Sequence, residues 1–304
     1  VPNRLLAANN RILPALITPL TAAGELDVAS AERLIDHLYN KGVGGLYVTG
    51  STGEGIHLDF SIRKQLVELA VSMSRGRGQV VVHVGAIQAS MAFDLAVHAA
   101  QAGADAVSSI PPFAGGYSWD EISAFYRRLC EVSPAPVVAY YIPALTGQTF
   151  SVDKLASLLS LPNLIGYKST DTNLYVMQRL LSRFRDNQIM YNGPDELLAL
   201  GLALGAHGGI GTTYNFMPEL ILQVAQYCAA GRLTEAVAVQ KKVNEVIEVL
   251  LGYQGVAATK QILCWQGVIA SPTCAAPRAS LTAAEQAEFR KKLEHTAIAG
   301  SLVK

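Results

Sequence analysis

The chain has 304 residues and a mass of 32.4 kDa, with 50% hydrophobic and only 16% charged residues, which excludes a disordered chain and supplies apolar surface for a large core. Lys plus Arg and Asp plus Glu balance at 24 each, so no long-range field gathers nucleic acid or an anionic membrane surface, and a charged ligand must be met by local groups. Glycines and charges interrupt every apolar run before ~18 residues, and residues 1–11 lack the apolar core of a secretory signal, so neither a membrane span nor secretion is expected.

Along the chain, short β-branched runs alternate with segments of helical period, the pattern of βα units around a parallel sheet. The predicted strands are 12–18, 45–49, 79–84, 106–110, 136–141, 164–168, 188–191 and 208–210, and eight is the number that closes a (β/α)8 TIM barrel. Val28–Asn40 follows Asp27 and sets Ala31, Leu34, Ile35 and Leu38 on one helical face, and 62–73 repeats this with Ile62, Leu66, Leu69 and Ala70. Ala89–Ala102 runs into Gly103, a left-handed helix stop. An open doubly wound sheet is the competing α/β architecture, but no G-x-G-x-x-G follows the first strand and the units continue past six. After the eighth strand, 218–230, Leu233–Leu251, 256–268 and 282–296 all read as helices. The expected organisation is a barrel over residues 1–230 and a C-terminal helical extension over 231–304 packed on it.

Cys130, Cys228, Cys264 and Cys274 form no C-x-x-C pair and have no histidine at zinc-ligand spacing. Reduced thiols in a cytoplasmic protein, with neither a disulfide framework nor a metal, are expected. The six histidines show no H-E-x-x-H or triad arrangement, and His83 and His207 read as strand or loop residues.

Side chains at the C-terminal ends of barrel strands converge on one mouth, so chemistry is sought there. Lys168 ends the sixth strand, where burial among apolar strands favours the neutral amine that attacks a ketone. The resulting iminium is an electron sink for a breaking C–C bond. A lysine solvated at the strand end is the plain alternative, and Asp171 nearby favours the charged form unless it points elsewhere. Gly50-Ser51-Thr52-Gly53-Glu54 offers either a small nest for a carboxylate or a βα turn whose hydroxyls cap the next helix. Tyr140 and Tyr141 alternate across the fifth strand, so one faces the interior, where a phenol moves a proton, and one faces the helices. Asp195 and Glu196 follow the seventh strand, placed either to accept hydrogen bonds from a polyol or to complement a helix N-terminus. Gly208-Gly209-Ile210-Gly211-Thr212-Thr213 could instead cradle a phosphate.

Taken together, Gly50-Ser51-Thr52-Gly53-Glu54, Tyr140-Tyr141-Ile142-Pro143-Ala144-Leu145-Thr146-Gly147, Gly166-Tyr167-Lys168 and Gly209-Ile210-Gly211-Thr212-Thr213-Tyr214-Asn215 resemble the N-acetylneuraminate lyase and dihydrodipicolinate synthase family, in order across nearly the whole chain. The resemblance implies a barrel with a helical extension, a pyruvate Schiff base, no metal or other cofactor, and commonly a homotetramer. It implies Lys168 as the Schiff-base lysine, Tyr140 for proton transfer, and Ser51 and Thr52 for the pyruvate carboxylate. Asp195, Glu196, Thr170, Gly193, Gly211 and Thr212 occupy places similar to those that contact the sugar chain in sialic acid lyases. Leu145 stands where the synthase branch usually has an arginine, which implies a neutral sugar partner. Three features depart from the family pattern: Tyr141 replaces a common asparagine, Thr212 a frequent serine, and Phe113-Ala114 carries no relay tyrosine.

The function implied is a class I aldolase cleaving N-acetylneuraminate to N-acetylmannosamine and pyruvate. The alternatives are a Schiff-base aldolase or dehydratase for another 2-keto-3-deoxy sugar acid, a dihydrodipicolinate synthase-like enzyme, and a non-catalytic keto-acid sensor.

Overall fold

The protein is described here by a computed structural model covering residues 4–184 and 188–302. Eight parallel strands form a barrel: β1 (Ile12–Pro14), β2 (Gly45–Val48), β3 (Gln79–His83), β4 (Ala106–Ser109), β5 (Val137–Tyr141), β6 (Leu164–Ser169), β7 (Ile189–Asn192) and β8 (Gly208–Gly211). Their order is β1-β8-β7-β6-β5-β4-β3-β2, and a parallel bridge from Ala15 to Tyr47 joins the two ends of the sheet. The predicted TIM-barrel class is therefore the observed one. Nearly every strand residue is buried on whichever face it points to, which is why the strands read as continuous apolar runs rather than as alternation.

The first strand ends at Pro14 rather than at the predicted residue 18. Beyond the Ala15 bridge and the Leu16 N–H bond to Tyr47 O the chain leaves the ladder, and its polar groups are satisfied by other loops: Ile17 N–H donates to Asn215 Oδ1 at 3.2 Å and the Thr18 hydroxyl to Gly53 O at 2.6 Å. The β-branched Ile17 and Thr18 thus support the barrel mouth.

Among the described residues, and apart from single turns, the helices that accompany the strands are α1 (Val28–Asn40), α2 (Phe60–Ser74), α3 (Ala89–Ala102), α4 (Trp119–Val132), α5 (Val152–Leu158), α6 (Leu174–Leu181), α7 (Leu198–Ala203) and α8 (Pro218–Ala229). The Asp27 side chain accepts from Ser30 N–H to start α1, whose Leu34, Ile35 and Leu38 are fully buried against the strands. Each such burial contributes about 1.5–3 kcal/mol. Gly103, at φ 100°, ends α3 in the left-handed conformation expected of it. Inside the barrel, Leu13, Tyr47, Val138, Tyr140, Tyr191 and Ile210 form a separate core. Leu5, on a single turn at Arg4–Ala7, joins that core, and its carbonyl accepts from Arg11 Nε just before β1, so this turn closes the N-terminal end.

Three further helices follow, α9 (Leu233–Leu251), α10 (Gly255–Trp265) and α11 (Ala283–Leu293). Their apolar faces share the outer core with the barrel helices, and Phe289 is fully buried with its ring 4.6 Å from that of Tyr253 and 5.7 Å from that of Trp265. No helix among the described residues is long and apolar enough to cross a membrane.

Candidate active site

Lys168 stands on β6 in register with Tyr140 of β5 and Tyr191 of β7, and strand alternation turns all three side chains away from the helices. Only 4% of Lys168 is exposed, and its Nζ lies 3.8 Å from the Tyr140 ring centroid and 4.8 Å from that of Tyr47. No carboxylate among the described residues forms an ion pair with it. Asp171 points elsewhere, its Oδ1 accepting from Asn173 N–H at 3.1 Å where α6 begins. The solvated-lysine alternative is thereby removed.

Tyr140 belongs to the interior core, whereas Tyr141 packs outward against the Tyr167 ring at 6.1 Å. The Tyr47 and His83 rings each stand nearly perpendicular to the Tyr140 ring at 6.1 Å, which fixes its plane. The Tyr140 hydroxyl lies 3.4 Å from Thr170 Oγ1, which donates to it.

Between two left-handed non-glycine residues, Thr49 (φ 58°) and Glu54 (φ 57°), the β2 loop carries Ser51, half-buried, and Thr52, buried. Neither hydroxyl caps α2, whose N-cap is Asp59, so the capping alternative does not hold. The Thr52 hydroxyl instead pairs with that of Thr212 at 2.6 Å, joining the loops after β2 and β8. Gly53 is required by close approach: a Cβ there would meet Leu16 O at 2.7 Å.

A cavity of about 560 Å³ opens beside this group, lined by the loops after β5, β6, β7 and β8 and by the end of α9. Thr170, Gly193, Asp195, Glu196 and Thr212 line it, while Lys168, Tyr140, Ser51 and Thr52 lie outside its wall. Thr170, bonded to Tyr140, and Thr212, bonded to Thr52, connect the two parts. Asp195 Oδ2 accepts from Thr213 N–H at 2.7 Å. Burial raises this carboxyl from 3.8 to about 6, opposed by that hydrogen bond and by the charge of Lys168. Its partner lies on the β8 loop, so Asp195 does more than complement its own helical turn. The same bond fills the glycine-rich β8 loop with a carboxylate, which repels a phosphate and overturns the phosphate-cradle alternative.

Gly211 does not line the cavity. A Cβ there would overlap Asp195 Oδ1 and the Tyr214 ring, and one at Gly193 would overlap Thr170 Oγ1. Both glycines leave room for polar neighbours. Leu145 is exposed on the single turn Pro143–Thr146 and is absent from the cavity wall, although Pro143 and Ala144 are in it. Phe113 packs against the interior core and Ala114 adopts φ 68°, so this stretch brings no hydroxyl to the site.

The sequence reading missed Ile247, Leu250, Leu251 and Tyr253, which give the cavity an apolar side. Helical period marks them only as part of an apolar stripe; which of them border a cavity depends on the docking of α9. His83 is the strand residue it was read as, the last of β3, and its ring packs against the interior Tyr47 and Tyr140. His83 Nδ1 lies 3.1 Å from Thr49 O, and Ile110 N–H donates to its Nε2 at 3.3 Å, a pattern that suits one neutral tautomer. Burial foremost, with the nearby Arg63 charge, lowers its pKa from 6.5 to about 3. His207 is structural, accepting from Met190 N–H through Nδ1 at 2.9 Å. Among the described residues no group of three His, Cys, Asp or Glu is placed to hold a metal ion, and all four cysteines are free.

A sequence profile of the dihydrodipicolinate synthetase family matches residues 8–296. The N-acetylneuraminate lyase of Rhizobium meliloti (strain 1021) is 37% identical over 262 residues, spanning 86% of this chain and 87% of that protein. The crystal structure of CdNal from Clostridium difficile in complex with mannosamine superposes with a TM-score of 0.90 at 27% identity, covering 95% of this chain and 99% of that one. YagE from E. coli K12, a prophage protein of the dihydrodipicolinic acid synthase family solved with pyruvate, gives 0.89 at 26% identity over 94% and 98%.

Proposed function

The chain belongs to the dihydrodipicolinate synthetase family, and on that premise we propose that it is a carbon–carbon lyase, a class I aldolase that cleaves N-acetylneuraminate to N-acetylmannosamine and pyruvate. The buried Lys168 amine adds to the C2 ketone of the open-chain sugar acid, and loss of water gives an iminium. The Ser51 and Thr52 loop receives the carboxylate. Tyr140 moves the proton of the C4 hydroxyl as the C3–C4 bond breaks, and the iminium takes up the electron pair as an enamine. Protonation of that enamine and hydrolysis release pyruvate and free the amine.

The observation that carries the sugar assignment is the charge of the cavity. Its wall holds Asp171, Asp195 and Glu196 and, among the described residues, no Lys, Arg or His. Such a wall repels an aldehyde that carries its own carboxylate and suits a neutral polyol, whose hydroxyls donate to the acids. Ile247, Leu250 and Tyr253 on the same wall suit an acyl methyl. Thr170, Gly193, Gly211 and Thr212 complete this sugar side in the proposal, the two glycines by leaving space.

The homotetramer, the cytoplasmic location and the division into a barrel over 1–230 and an extension over 231–304 belong to the same proposal. Incubation with N-acetylneuraminate should release pyruvate, and borohydride added with pyruvate should leave a covalent adduct on Lys168 that Lys168→Ala lacks. An active protein without that adduct refutes the mechanism. Release of pyruvate only from a shorter 2-keto-3-deoxy sugar acid refutes the substrate.

A further inference from the structure

Glu54 ends the β2 loop, two residues after Thr52, yet its side chain turns away from the mouth and is fully buried. It forms an ion pair with Lys260 of α10, which is also fully buried. The pair is completed by the polypeptide around it: Glu54 Oε1 accepts from Ala275 N–H at 2.8 Å, and Lys260 Nζ donates to Thr273 O at 2.7 Å. Both partners of the Glu54 side chain, Lys260 and the Ala275 amide, therefore lie on α10 and the segment after it, as does Thr273, which holds Lys260.

Two physical arguments make this more than packing. Removing two charges from water costs about as much as their attraction returns, so a buried pair is weak support for stability and apolar residues of similar size would serve as well. What an ion pair adds is direction. Glu54 also stands at φ 57°, a conformation that glycine adopts freely and glutamate does not. Such a residue persists where its surroundings over-determine it. At the other end of the loop Thr49 repeats the arrangement at φ 58°, its hydroxyl donating to His83 O at 2.7 Å. Ser51 and Thr52 hang between two left-handed residues, each tied through its side chain. Within the span, Glu54 N–H donates to Ser51 O at 3.2 Å and Gly55 N–H to Gly50 O at 3.1 Å.

We infer that Glu54 and Lys260 are positioning residues, through which the C-terminal helices hold the Ser51 and Thr52 loop in the shape that receives a keto-acid carboxylate. The assignment of that carboxylate rests on the function proposed above; the geometry of the clamp does not.

The test uses the full chain and the double variant Glu54→Met/Lys260→Met, which replaces the pair by apolar side chains of similar length and keeps the core filled. Pyruvate is titrated with borohydride trapping at Lys168, and backbone hydrogen exchange is followed over residues 49–55 and over β4 and β5. The double variant should need about tenfold more pyruvate for half-maximal labelling, with maximal labelling unchanged, as expected when a preorganised loop is loosened. Exchange in 49–55 should accelerate at least about tenfold while β4 and β5 stay as they were. A half-saturation equal to that of the parent, or exchange that rises uniformly or not at all, overturns the inference. If the parent itself takes no label, the proposed chemistry fails and the exchange experiment decides the clamp alone. Should the double variant not fold, Glu54→Gln carries the same two readouts with the same signs.

Discussion

Nζ of Lys168 lies 3.8 Å from the centroid of the Tyr140 ring, the two residues standing level on adjacent strands. The ring forms one wall of the amine's pocket while the hydroxyl reaches Thr170, so one side chain packs through its face and offers its tip for the proton movement proposed above. Tyr140→Phe separates the two. The ring and the barrel core stay, and kcat should fall by about 10²–10³-fold through loss of proton transfer. Borohydride trapping of pyruvate at Lys168 should still occur, and steady-state kinetics beside trapping check both halves.

Gly211→Ala should act on Asp195 without changing any charged residue. The added methyl overlaps the Asp195 carboxylate and the Tyr214 ring, both buried. Overpacking of this kind costs about 1–3 kcal/mol, visible as a lower urea midpoint. KM for the sugar acid should rise at the same time, because the displaced carboxylate borders the cavity.

Asp195 links stability to pH with a definite sign. Its carboxyl is raised from 3.8 to about 6 in the folded protein, so the folded state holds the proton more tightly than the unfolded chain does. That contribution is complete below pH 3.8 and is lost as pH rises through about 6. Asp195→Asn cannot ionise and lacks this loss, while its amide oxygen still accepts from Thr213 N–H. Between pH 4 and pH 7 the stability difference should move in favour of the variant by about 2–3 kcal/mol. Urea unfolding at the two pH values measures it, and sugar-acid KM should rise in the variant at pH 7.

His83 works in the opposite direction. Its pKa is depressed from 6.5 to about 3, so its contribution is intact above pH 6.5 and is lost as pH falls toward 3. Protonation would place a hydrogen on Nε2 facing Ile110 N–H, which now donates to it. The His83 ring resonances should stay in the neutral position down to at least about pH 4.5, read by NMR on histidine-labelled protein. His83→Gln should flatten the acid side of the stability curve.

The helices Val28–Asn40, Ala89–Ala102 and Leu233–Leu251 are legible residue for residue, because an N-cap acid, a left-handed glycine and a long apolar period are local signals. Strand ends 45, 79, 106, 164 and 208 are legible for a similar reason, each opening an apolar run beside turn residues. Alternation puts one of Tyr140 and Tyr141 inside the barrel, and the register of Tyr140 with Lys168 together with its place in the interior core identifies which. The apolar side of the cavity was not legible: Ile247 and Leu250 carry the same period as neighbours that simply pack, and only the docking of α9 separates them. Nor was the partner of Glu54, since two charges meeting across the fold leave no periodic trace in a chain. Gly193 and Gly211 read as contacts of a ligand, and their surroundings in the fold add a steric reason for being glycine.

The tie between Glu54 and Ala275 spans 221 residues. On the ribosome, the loop of the second strand is therefore synthesised long before the groups that fix it, and a nascent chain of complete strands still lacks them. Lys260 and the Ala275 amide both emerge after the eighth strand, so the loop that carries Ser51 and Thr52 stays unclamped until the growing chain has passed Ala275.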